Sequence, residues 1–223
     1  MERHFDEELS ELKHRLTKMC ALAETMIGDA SKALVQRDAS ALPAIQQHEA
    51  EVNRLQVEID EMCFTLIALR QPTASDLRFI LGAAKTNTDL ERLADQAVNI
   101  SSKAARLMTH EPLKPFVIIP QMTDIARGMV RDSLHAYVNR QADKAREVIQ
   151  RDVLLNTLKK EINAEMLEFM ARDSRTVAYS LDIVLVAHNL ERIGDHAKNI
   201  AENAIFVVEG KDVRHGTETA PAA

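Results

Sequence analysis

The chain has 223 residues, of which 46% are hydrophobic and only 4% aromatic, with six Gly, six Pro, no Trp and a formal net charge of -6. So few helix breakers beside nine Met and abundant Ala, Leu, Glu, Lys and Arg exclude a sheet-based fold and indicate an all-α protein. The acidic balance excludes nonspecific nucleic-acid binding, which needs a basic surface to displace phosphate counterions.

The opening Met-Glu-Arg-His-Phe-Asp-Glu-Glu carries no apolar h-region, and no apolar run approaches the ~20 residues of a membrane span. A cytoplasmic protein without direct membrane insertion is expected. Apolar periodicity and turn signals predict six helices, over 5–38, 42–70, 74–108, 120–140, 143–172 and 175–208. Asp38 or Ser40 can cap the second helix, whose first turn holds Pro43 at a position where a missing N–H costs little. Pro72 closes that helix, and Thr73 with Asp76 forms a capping-box-like start for the third. The segment 111–120 contains three of the six prolines and reads as a linker. It separates a first three-helix bundle over 1–110 from a second over 121–208, and an aperiodic tail over 209–223 is expected to be disordered. Core stripes are legible as Leu55, Ile59, Met62 and Leu66, and as Val186, Leu190, Ile193, Ala197, Ile200 and Ala204. Cys20 and Cys63 fall outside any CxxC pattern and read as buried thiols.

The halves are copies of one another. Met26 to Met62 aligns without gaps onto Met129 to Glu165 at an offset of 103, with eleven identities. The offset drops to 100 for Asp89 to Ile100 against Asn189 to Ile200, where seven of twelve positions agree, four of them polar. Three extra residues must therefore sit in the first half around 70–75. Packing preserves apolar periodicity between helix copies but gives little reason to preserve Glu, Arg, Asp and Asn at fixed offsets.

The repeated polar motif is Glu91-Arg92-Leu93-Ala94-Asp95 and Glu191-Arg192-Ile193-Gly194-Asp195. Its two carboxylates lie one turn apart, repel each other, and would be relieved by a bound cation. Asp29 matches Asp132 and Glu49 matches Asp152, so each half can bring acids from separate helices to one place. Oxygen-only ligands suit Mg, Mn, iron or another divalent cation better than structural zinc. The competing reading is a solvated helix face neutralised by Arg92 and Arg192 through ordinary ion pairs. Asp89 in the first copy faces Asn189 in the second, so the first site is expected to hold a cation more readily. His188 and His196 have no counterparts in the first half and read as surface residues. Neither Glu91 nor Glu191 has a His three residues on, and no GxSxG, Walker A, GxGxxG or HExxH pattern is present, so no enzyme is expected. A metal store or metal-dependent enzyme built on the carboxylates is the alternative.

The two helical repeats bearing Leu-Glu-Arg-Leu-Ala-Asp and Leu-Glu-Arg-Ile-Gly-Asp, joined to the segment Arg70-Gln-Pro-Thr-Ala-Ser-Asp-Leu-Arg78, resemble the PhoU family of phosphate regulators over about residues 5 to 215. The resemblance implies two tandem homologous three-helix bundles in a cytoplasmic homodimer, peripheral to the inner membrane through its partners. It further implies a negative regulator of phosphate uptake and of the phosphate-starvation response, linking the phosphate ABC transporter ATPase to a phosphate-sensing histidine kinase. Metal clusters at the acidic motifs are also implied. Carried onto this chain the ligands are Glu91, Asp95, Glu191 and Asp195, with Asp29, Glu49, Asp132 and Asp152 in support.

Overall fold

A computed structural model describes residues 2–114 and 116–213. Six helices account for the architecture: α1 (Glu2–Gln36), α2 (Leu42–Arg70), α3 (Ala74–Leu107), α4 (Ile118–Val138), α5 (Ala142–Arg172) and α6 (Val177–Glu209). There is no strand among the described residues, and no helix there is long and apolar enough to cross a membrane. The first three helices form one bundle and the last three another. Each bundle places its second helix on the outer flank, so α2 packs on α1 and α3 while α5 packs on α4 and α6. The bundles meet through α3 against α6 and α1 against α4, and a single buried cluster runs through both.

Helix ends show where local chemistry wins. Asp38 accepts a bond from the Ser40 amide at 2.9 Å and starts a 3-10 turn ahead of α2, with Pro43 in the first turn. Asp173 repeats the device ahead of α6, accepting from the Arg175 amide at 2.9 Å. The three additional first-half residues form the turn 71–73. Thr73 does occupy the position before α3, but its side chain makes no capping bond. Asp76 is instead drawn to Arg140 at 3.1 Å, so the expected capping box does not form. The linker is shorter than expected, because α4 begins at Ile118 and takes Pro120 into its first turn. Lys114 of the linker pairs with Glu165 of α5. Gly210 ends α6; residues 214–223 of the expected disordered tail lie outside the described residues.

Arg37 and Arg140, identical through the repeat, each follow the first helix of their half in the left-handed region, with φ of 56° and 54°. That conformation costs a non-glycine residue roughly 1–2 kcal/mol. In the first half it aims the Arg37 guanidinium at the end of α3, where it donates to the carbonyls of Met108 and His110 at 2.7 Å each. A cation on exposed terminal carbonyls is favourable against the helix dipole.

The core stripes fall where periodicity put them. Leu190, Ile193, Ala197, Ile200 and Ala204 are fully buried, as are Ile59 and Val186; Met62 is only partly buried. Cys20 and Cys63 are free and buried, and burial pushes both thiols up to about 12.

Candidate acidic site and its interface between the halves

The twin motif lies on α3 and α6, the two helices that bind the bundles together. Leu90 and Leu190 point into the core, which turns Glu91 and Asp95, and Glu191 and Asp195, to the rim of each bundle, half-buried. Where the first copy has Ala94, the second has Gly194. A Cβ there would stand 2.5 Å from Leu155 Cδ1, so the glycine lets Leu155 of α5 pack directly against the α6 backbone.

That close approach gathers the second-half acids. Burial, then Glu191 and then Asp152 hold the Asp195 carboxyl above its usual range. Asp152 Oδ1 and Glu191 Oε2 are buried without a hydrogen-bond partner. Two lysines supply positive charge from the same surface: Lys159 Nζ lies 3.0 Å from Glu191 Oε1, and Lys198 Nζ lies 3.7 Å from Asp152 Oδ2. In the first half Glu91 is likewise raised, by burial and then by Asp95. Glu49 does not join it, and neither Glu49 nor Asp29 meets a hydrogen-bond or ion-pair partner among the described residues. The lysines have no first-half counterparts either, since the matching positions are Gln56 and Val98.

Asp132 is placed differently. Arg151 donates to its carboxylate at 2.6 Å and Arg131 lies 3.6 Å away, and these arginines hold it below the usual carboxylate range despite its partial burial. Its charge is already matched. Arg192 sits 3.8 Å from Asp195, the helix-surface pairing expected of a solvated face. The acids thus lie close enough to raise one another's proton affinity, while no three His, Cys, Asp or Glu groups among the described residues stand in a metal-holding arrangement. The set of Asp152, Glu191 and Asp195 is oxygen-only, the donor type of hard cations, and lysine ammonium groups supply part of the positive charge such a cation would bring.

Two positions behave otherwise than expected. His196 is buried, not exposed, because α6 packs on three helices and turns this residue toward α3. Its Nδ1 is 3.0 Å from Asp89 Oδ1, which also accepts from Asn199 at 3.1 Å. Asp89 therefore does not add its charge to Glu91 and Asp95; it is engaged across the interface by the second half. His188 is exposed as expected and lies 3.3 Å from Glu191. Sequence patterns gave no sign of Asn87, a buried amide that donates to Gln56 O at 2.8 Å and Asp60 at 3.0 Å, because its repeat partner is Ala187.

Comparison with known proteins gives the same two units. The PhoU domain model matches residues 16–104 and 119–204. A phosphate-specific transport system accessory protein PhoU homolog from Pseudomonas putida is 36% identical over 214 residues, covering 96% of this chain and 84% of that protein. The homolog of that name from Clostridium acetobutylicum is 37% identical over 210 residues, covering 94% and 96%. The crystal structure of PhoU from Pseudomonas aeruginosa superposes with a TM-score of 0.89 at 34% identity, covering 93% of this chain and 100% of that one. The phosphate transport system regulatory protein PhoU from Streptococcus pneumoniae gives 0.85 at 26% identity, covering 94% and 99%. With both repeats matched and nearly the whole length aligned, the chain belongs to the PhoU family.

Proposed function

We propose that this protein is an accessory regulator of phosphate transport that restrains phosphate uptake and silences the phosphate-starvation response when phosphate is ample. It acts as a cytoplasmic adaptor, a homodimer held at the inner membrane by the phosphate ABC transporter ATPase and in contact with a phosphate-sensing histidine kinase. The reading is carried by the full-length likeness to proteins named as phosphate transport accessory and regulatory factors. The acids of the twin motif have no nucleophile or nucleotide loop beside them in sequence, which favours a binding role over catalysis. Deleting the gene should derepress phosphate-starvation genes in phosphate-rich medium, read as reporter expression. Expression that stays at the repressed level in the deletion strain would overturn the proposal.

The acidic motifs are the place for a metal, iron or another divalent cation, and the first site should hold it more firmly. Its advantage comes from the absence of lysine there: Lys159 and Lys198 neutralise the second set, whereas Gln56 and Val98 leave Glu91 and Asp95 without an ammonium neighbour. Metal content of the full-length protein, measured by mass spectrometry, should fall further in Glu91→Ala/Asp95→Ala than in Glu191→Ala/Asp195→Ala. The reverse order would refute the inequality.

A further inference from the structure

Gly210 ends α6 in the left-handed region, with φ of 70°, and the chain that follows turns back over the helix it has just left. Lys211 and Asp212 are exposed, whereas Val213 is half-buried against the core and lines a groove of about 970 Å³ walled by α3, α5 and α6. Three residues of chain reach at most about 10 Å. Glu202 and Asn203, the α6 residues of the groove nearest Gly210, lie about 10–12 Å back along the helix axis. Val213 therefore sits at their end of the groove, and the chain is heading toward Lys198, Asp195 and Arg192.

Residues 214–223 follow, and fully extended they span at most about 35 Å. The groove from Glu202 to Arg192 takes about 15 Å of α6. The segment is long enough to run its whole length. Since Val213 already holds the chain there, docking would be intramolecular, at an effective concentration of about millimolar, and weak contacts suffice.

Charge order agrees with this occupant. Three Lys or Arg side chains and three carboxylates line the groove, so a simple ion of either sign would meet its own charge as often as the opposite one. A segment carrying both signs in sequence avoids that conflict. Counted from the Val213 end, α6 presents Glu202, then Lys198, then Asp195 with Arg192 3.8 Å from it. The segment reads Arg214-His-Gly-Thr-Glu218-Thr-Ala-Pro-Ala-Ala, with positive charge first and negative charge four residues on. The matching chain of the first half goes elsewhere: after α3, Leu113 and Phe116 line a cavity with Ile162 and Met166 of α5, so it crosses to the second bundle.

We propose that residues 214–223 dock along this groove as an extended strap of the same molecule, with Arg214 at the Glu202 end and Glu218 toward Lys198 and Arg192. The strap covers the rim of the second acidic motif and leaves the first open. The proposal goes beyond the regulatory reading and does not depend on it. Nuclear magnetic resonance of the isotope-labelled full chain tests it against a chain ending at Val213. The shortening should shift the amide signals of residues 192–203 and of Ile149, and leave those of Asp95 and Val98, on the first motif's helix, in place. A nitroxide on Thr219→Cys reports proximity, because the native Cys20 and Cys63 are buried with thiols pushed up to about 12 and escape labelling. It should cause loss of amide intensity at 192–203 with α2 unaffected, and the loss should disappear in about 1 M salt, where the Debye length is ~3 Å. Arg214→Glu/Glu218→Lys keeps the net charge but reverses its order, and should abolish the localised loss without touching the helices. Absent shifts at 192–203 on shortening, intensity loss spread evenly over the surface, or docking unchanged in the reversed variant would each overturn the proposal. Intensity loss that appears when unlabelled-nitroxide, isotope-labelled chains are mixed with nitroxide-bearing ones would assign the groove to the segment of a second copy, and would overturn it also.

Discussion

Replacing Tyr137 with alanine is expected to lower the unfolding free energy by about 3–5 kcal/mol, the range for deleting a large buried aromatic side chain. Tyr137 is fully buried on α4, yet its contacts are on α3 of the other half. Its ring stacks on Phe79 with centroids 5.1 Å apart, and its hydroxyl donates to the Phe79 carbonyl. Gly82, one turn along α3, makes room for it: a Cβ there would lie 3.0 Å from the hydroxyl and 3.1 Å from Val207. On the far side Lys13 and Arg140 lie 5.3 and 5.6 Å from the Phe79 ring centroid. Removing the tyrosine empties a site walled by both bundles, and helices fixed by many other contacts cannot collapse into it. Tyr137→Phe, which keeps the ring, should cost only about 1 kcal/mol. Urea titration with the slope held common between variants measures both. A loss below about 1 kcal/mol for the alanine variant would show that the ring does not join the halves.

Arg106→Ala should destabilise by about 1–3 kcal/mol, because it strands a carboxylate that folding has buried. Asp182 on α6 is 8% exposed, and Arg106 near the end of α3 donates to it through Nε at 3.1 Å and through a second nitrogen. The guanidinium itself is largely exposed, so water enters when it is removed and keeps the cost below that of a fully enclosed pair. The diagnostic result is the double variant Arg106→Ala/Asp182→Leu. Removing both partners eliminates the unpaired charge, and the double variant should be more stable than Arg106→Ala alone. If the two single losses simply add, the pair is not coupled and the explanation fails.

Much of this molecule was readable before its structure, and the pattern of success has a physical basis. Helix number, order and the apolar stripes through Ile59 and Ile193 follow from 3.6-residue periodicity, which any long amphipathic helix must show. The acids of the motif were recognisable because duplication repeated polar residues that packing had no reason to keep. Single events were not legible. His196 has Gln96 as its repeat partner, and its burial depends on α6 being covered by three helices, a property of the assembly and not of its own helix. Thr73 had the right neighbours for a capping box, but Arg140, distant in sequence, had a stronger electrostatic claim on Asp76. Asp89 belongs by sequence to the acidic stripe of its own helix, while its partners lie on the other repeat.

The Asp89, His196 and Asn199 contact also says something about what joining two copies in one chain permits. Two separate copies of a single repeat, paired by a twofold axis, would meet through identical surfaces, and any substitution in one would appear in both. Aspartate at position 89 would then be aspartate at 189, histidine at 196 would be histidine at 96, and every contact would occur twice. In this chain those positions hold Asn189 and Gln96, so the carboxylate contact exists on one side and cannot be repeated on the other. Once the repeats share a gene, the seam between them can acquire a direction, with one end of the molecule chemically unlike its mirror image and able to be addressed separately.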